Sequence, residues 1–272
     1  MSQALSSRAS RTPISIDSVY NGPVNCGNGG YISGLLASFI DGDAEIRINA
    51  AFPVETPLQV KDTDEGIGVY LDDKHLGSAR RIQLQLTIPS PPNVESARAA
   101  SQRFDFIHSS APQGCYVCSP LRPVENGLRV FCGAVEELIT PDPDLDWRTQ
   151  TEKNIIAALW RPTDNLCHNE GKGESHIDNI YVWSALDCPG AYAIKAAEPD
   201  AGLQLLGTCS GSIKTPLVPD ADYIVSSWKI SPNSGRKRFM GVAIHNTAGE
   251  LMACAEQIWI DVGDSLPGAS KT

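Results

Sequence analysis

The stretch "ALDCPGAYAI", residues 185–194, places a carboxylate, Asp187, two residues ahead of Pro189 and five ahead of Tyr192. Proline is favoured in the first turn of a helix, so Asp187 is predicted at or beside a helix N-cap. Two kinds of chemistry are open to an acid in that place. It can cap the helix, accepting a backbone N–H at the positive end of the dipole. It can also act as a general base or nucleophile, with the N–H groups of the same helix start holding a developing oxyanion.

Other reactive residues point to less. Arg236, Lys237 and Arg238 in "SGRKRF" form the strongest basic cluster. Such a cluster either anchors an anionic group or lies as a solvated turn. Arg80 and Arg81 are a weaker candidate, because strand alternation sends neighbours to opposite faces. Eight cysteines include one CxxC pair, Cys115 and Cys118. A zinc ribbon needs a second pair or well-spaced histidines, and Cys132 with "LCH" (Cys167, His168) does not supply that spacing. Reduced loop or core thiols and no metal are therefore expected. The chain contains no GxSxG elbow, GxGxxG or P-loop, which argues against a serine hydrolase and a nucleotide-dependent enzyme. No cofactor is expected.

Bulk properties narrow the class further. With 272 residues and 42% hydrophobic content, the chain can form one large domain or two small ones. Its net charge of −10 argues against nucleic-acid binding. No apolar run approaches the ~20 residues of a membrane span. The opening "MSQALSSRASRTPISI" has no apolar core of a secretory signal. A cytoplasmic protein with no membrane association is the expectation.

The elements that must position Asp187 come in two similar series. "TPISIDSVYNGP" reads as a strand, and the glycines of "NCGNGGYISGLLASFI" open a helix near Gly29. Ile32, Leu35, Leu36 and Phe39 recur at helical spacing. Gly34 inside that helix implies close packing against another element. Four strands follow in "AEIRINAAFPV", "PLQVKDT", "IGVYLDD" and "HLGSARRIQLQLTI". A Pro/Ser-rich linker, "PSPPNVESARAASQ", leads to strands in "LRVFCGAVE" and "IIAALWRP", joined by the acidic loop "TPDPDLDWRTQTEK". The apolar run "IYVW", a strand or loop, then feeds a second helix, "CPGAYAIKAAE". Four more strands follow in "LQLLGTCSGSI", "DYIVSSWKI", "RKRFMGVAIHN" and "GELMACAEQIWIDV".

The halves match in detail. "NGGYISGLLA" lies over "PGAYAIKAAE", and "TPL" at residues 56–58 recurs at 215–217. In that register Cys26, not an acid, falls opposite Asp187. The expected organisation is an N-terminal half over residues 1–100, a linker over 101–125 and a C-terminal half over 126–272.

A duplicated unit of one central helix and an antiparallel meander resembles the double hotdog fold, an α+β tandem in which each helix is wrapped by a curved sheet. "NGGYISGLL", "CYVCSPLRPVENGLRVFCGAV", "VWSALDCPGAYA", "GRKRFMGVAIHNTAGELMACA" and "QIWI" resemble a thioesterase-like hotdog family over about residues 14–262. The C-terminal segment is similar in pattern to type II acyl-CoA thioesterases. That resemblance implies hydrolysis of a thioester by water activated by Asp187 and held by Gln257 with Thr208 or Ser210. It implies substrate contacts at the helix starts, Gly29 and Gly30 in one half and Gly190, Ala191 and Tyr192 in the other. Arg236, Lys237 and Arg238 would face the nucleotide of an acyl-CoA, or the carrier of an acyl-carrier thioester. Assembly into a homo-oligomer is also implied. Two other readings stay open: a hotdog that binds an acyl thioester or apolar ligand without turnover, and a dehydratase or hydratase.

Overall fold

The structure, a computed structural model, describes residues 11–105, 112–135, 155–167 and 175–263. The glycine-opened helix forms as its apolar spacing predicts. α1 (Gly29–Ala37) is capped by Asn28, whose side chain accepts the Tyr31 N–H. Ile32 and Leu36 face inward and are fully buried, a burial that contributes about 1.5–3 kcal/mol per side chain. After residues 38–43 come β1 (Ala44–Ile48), β2 (Gln59–Asp62), β3 (Gly66–Leu71) and β4 (Lys74–Arg81).

The linker contains a short helix, α2 (Val94–Gln102), capped by Asn93. Ala97 and Ala100 of α2, with Leu84, Leu86 and Ile88 before it, cover Ile224, Trp228 and Ala243 on the outer face of the second half. The boundary expected at residue 100 therefore falls inside α2, on chain already packed against the second half. β5 is only Gly133–Ala134, shorter than "LRVFCGAVE" suggests, and β6 spans Ile156–Trp160. The acidic loop of residues 140–153 lies outside the described residues.

The second half repeats the first. α3 (Asn179–Ala185) and α4 (Cys188–Ala197) are followed, after residues 198–203, by β7 (Gln204–Ile213). β8 (Tyr223–Ser234), β9 (Lys237–Asn246) and β10 (Leu251–Asp261) complete it. "IYVW" is helical rather than extended. Asp178 accepts the Ile180 N–H and starts α3, and Val182 and Trp183 are buried. At the N-terminus the expected strand is reduced to one bridge, Ile14 to Leu58, before Asp17 caps a 3-10 turn at Ser18–Tyr20.

The ten strands of the described residues form one antiparallel sheet in the order β2-β3-β4-β1-β7-β10-β9-β8-β6-β5. Each half runs outward from a β1–β7 seam through its fourth, third and second meander strands, so the two units are related by a pseudo-two-fold at that seam. Ala44 to Arg47 pair with Gly211 to Thr208 across it. The repeated "TPL" segments occupy matching places: Leu58 bonds Ile14 and the Leu217 carbonyl accepts the Ile177 N–H.

α1 crosses α3 at backbone contact. A Cβ on Gly34 would lie 2.7 Å from Ile180 Cα, and one on Gly30 would lie 2.8 Å from Ser184 Cα. The internal glycine expected to pack closely does so, and the contact brings the start of α1 against the end of α3.

Candidate active site

Pro189 decides the geometry around Asp187. It lacks an N–H, and its ring would clash with the carbonyl of Ala185, four residues back, if α3 ran on unbroken. α3 therefore stops at Ala185, Asp187 takes a non-helical conformation (φ −75°, ψ −82°), and α4 restarts at Cys188. Asp187 holds the N-cap position but its side chain makes no cap bond. The carboxylate instead crosses to the other half. Its Oδ2 accepts the Asn28 Nδ2–H at 2.8 Å. Its Oδ1 is buried with no hydrogen-bond partner. Burial above all, and then the Cys115 sulfur, push this carboxyl up to about 7, against the pull of the Gly30 N–H and the Asn28 amide.

Asp187 sits in the wall of a cavity of about 670 Å³ between the two halves. The first half contributes Asn28, Gly29 and Phe52, and the second contributes Tyr192, Leu206 and Trp259. The lining is mostly apolar, with polar groups gathered where α1 and α4 begin. Lys74 and Lys195 also line it.

The expected site residues separate into groups. Asp187, Gly29, Ala191 and Tyr192 line the cavity. Gly30 lies against Asp187 and Ser184, and Gly190 lies under Gln257 Oε1 and Trp259 Nε1, so both serve close packing. Gln257 is fully buried on β10. Its Nε2 donates to the Leu186 carbonyl at 2.6 Å and, more weakly, to that of Asp187 at 3.3 Å. Its Oε1 accepts the Trp259 Nε1–H at 2.8 Å. The amide is thus spent on holding the helix break, not on the cavity.

Thr208 and Ser210 correct the expectation. A β-bulge at Gly207, opposite Ile258 and Trp259, sets the register. Cys209 then points inward, opposite Gln257 and near Asp187. By alternation Thr208 and Ser210 point outward, Ser210 in line with Glu45 and Glu256. Arg238 is corrected too. It is committed to Glu198 (2.8 Å) and Asp261 (3.3 Å) and is only 13% exposed. Arg236 and Lys237 are exposed beside the β8–β9 turn.

Three features were not read from the sequence. Asn28, not Cys26, is the counterpart of Asp187: both hold N-cap positions, and their side chains bond each other. An asparagine directly before a glycine-opened helix is the local signal for it. Lys74 and Lys195 reach the cavity from separate halves. Finally, Cys188 joins the CxxC pair: the sulfurs of Cys115, Cys118 and Cys188 lie within 4.8 Å of one another, all buried.

A ten-stranded antiparallel sheet built from two helix-and-meander units is a double hotdog fold. No protein-family model matches the chain, and no curated protein matches it. Solved structures share the architecture over most of its length. A Novosphingobium aromaticivorans protein aligns over 92% of this chain and 95% of its own at 11% identity, with a TM-score of 0.57. A tesB protein of Mycobacterium avium subs paratuberculosis covers 95% and 94% at 14% identity and TM-score 0.51. An acyl-CoA thioesterase II from Mycobacterium marinum covers 87% and 90% at 11% identity and TM-score 0.52.

Proposed function

We propose that the protein hydrolyses an acyl thioester, with Asp187 as the general base. The observation that carries this reading is a buried carboxylate with one unpartnered oxygen in the wall of an apolar cavity, beside the N-terminus of α1. The acyl chain would lie along Phe52, Leu206 and Trp259. Asp187 Oδ1 would take a proton from water as the water oxygen attacks the thioester carbonyl carbon. The oxyanion would be held by the Gly29 N–H, since those of Gly30 and Tyr31 serve Asp187 and Asn28. Collapse breaks the C–S bond, and the departing thiolate recovers the proton from Asp187. Asn28 keeps the carboxylate oriented, and Gln257 acts as a positioning residue through the backbone at the helix break.

The name of the Mycobacterium marinum structure supports acyl-CoA as the substrate class. The anionic end would meet Lys74 and Lys195, with Arg236 and Lys237 as outer anchors. Assembly of two or more chains is part of the same proposal. A second reading, ligand binding without turnover, is favoured by the outward direction of Thr208 and Ser210. A dehydratase is disfavoured because no described histidine lines the cavity.

The test is thiol release from short, medium, long and aromatic acyl-CoAs, wild type beside Asp187→Ala. Release that the substitution abolishes, with binding retained in calorimetry, supports hydrolysis. Binding with no release by wild type supports the second reading.

A further inference from the structure

We propose that Cys115, Cys118 and Cys188 form a binding site for a thiophilic divalent cation of the zinc class, with a fourth coordination position open to the cavity. Three thiolates around zinc at ~2.3 Å in tetrahedral geometry place their sulfurs ~3.8 Å apart. Here Cys115 Sγ and Cys188 Sγ are 3.5 Å apart, and all three sulfurs lie within 4.8 Å. Side-chain rotations of a few tenths of an ångström, opening the Cys115–Cys188 pair and closing any wider one, would give that spacing.

The arrangement is assembled from distant chain. Cys115 and Cys118 stand on one turn, closed by the Ser119 N–H on the Cys115 carbonyl. Cys188 is the first residue of α4, so it comes to the CxxC turn from the other half of the chain. The pocket supplies further donors: Asn28 Nδ2 donates to Cys115 Sγ at 3.7 Å, and the Tyr192 side chain hydrogen-bonds Cys118. Other buried cysteines are different. Cys132 sits singly in apolar surroundings, and burial alone raises its thiol, while Cys254 has Lys214 and Asp43 near it rather than other sulfurs.

A second observation points to a ligand at the same place. Asp187 Oδ1, buried and without a partner, belongs to the residue adjoining Cys188. All three cysteines and Asp187 line the same cavity. A cation held by three sulfurs would keep its fourth position toward that space, the pattern of a site with an open coordination position rather than a closed structural one. Binding involves no redox change. Each thiol gives its proton to solvent, and the divalent cation replaces three protons. The site stands whether or not the protein hydrolyses thioesters.

The test is metal analysis of the full-length protein purified without chelators. About one zinc per chain is expected, lost at least fivefold in Cys115→Ser, Cys118→Ser and Cys188→Ser and retained in Cys132→Ser. Metal that persists in all three variants overturns the proposal. Should a serine variant fail to fold, wild-type protein stripped of metal and titrated with cobalt(II) gives the answer. A thiolate-to-cobalt charge-transfer band saturating at one equivalent is expected. Protein that is metal-free as purified and gives no such band, or that carries a Cys115–Cys188 disulfide after purification under reductant, overturns it.

Discussion

Replacing Gly34 by alanine tests how the site is positioned. In an isolated helix this change stabilises by about 1 kcal/mol, the helix penalty of glycine. In the fold the new Cβ would lie 2.7 Å from Ile180 Cα, 2.8 Å from the Ile180 carbonyl oxygen and 3.0 Å from Trp183 Cβ. Carbon contacts are optimal near 3.5–4.0 Å, so α1 and α3 must separate by roughly 1 Å. The nearest atoms are backbone and cannot rotate away. Overpacking of this kind costs about 1–3 kcal/mol, and backbone neighbours place it at the upper end. After subtracting the propensity gain, a net loss of about 2 kcal/mol is expected, or a Tm lower by about 4–8 °C. The same separation would lengthen the Asn28–Asp187 bond and lower turnover. Urea unfolding and thermal melts, compared with wild type, read the effect. A variant as stable as wild type or more so would refute the close-crossing argument.

Other predictions follow from single residues. Gln257→Ala leaves the Leu186 carbonyl and the Trp259 N–H unpaired in the core; a loss of about 2–4 kcal/mol in chemical denaturation is expected. Arg238→Ala should cost about 1–3 kcal/mol through Glu198 and Asp261, whereas Lys237→Ala should change unfolding by less than about 0.5 kcal/mol. His245 is buried with Nδ1 unpartnered, and burial lowers its pKa below the unfolded value. The unfolded chain therefore binds the proton more readily, so this contribution is whole above about pH 6.5 and is lost as pH falls through and below it. Melting temperature against pH should flatten in that range in His245→Phe.

How much of this was legible depends on distance along the chain. The helix at Gly29, the meanders and the duplication follow from local spacing and turn residues, and they survive almost unchanged. "IYVW" was ambiguous because a short apolar run fits a buried strand or a buried helix; the Asp178 cap decides it. Asp187 was singled out by Pro189, a local signal. Its partner was not, because matching glycines aligned Cys26 with it, while the helix caps align Asn28. Thr208 and Ser210 failed through one residue of register: the bulge at Gly207 turns Cys209 inward. The Cys115, Cys118 and Cys188 group was hidden because its members are brought together only by the excursion that folds the CxxC turn onto α4.

The central claim is that Asp187 performs the chemistry in the cavity between the halves. Steady-state hydrolysis of the best acyl-CoA by wild type and by the isosteric Asp187→Asn tests it most directly. A fall in kcat of about 10²–10⁴-fold is expected, with KM within a few-fold and unfolding unchanged. An Asp187→Asn variant that keeps its kcat would contradict it.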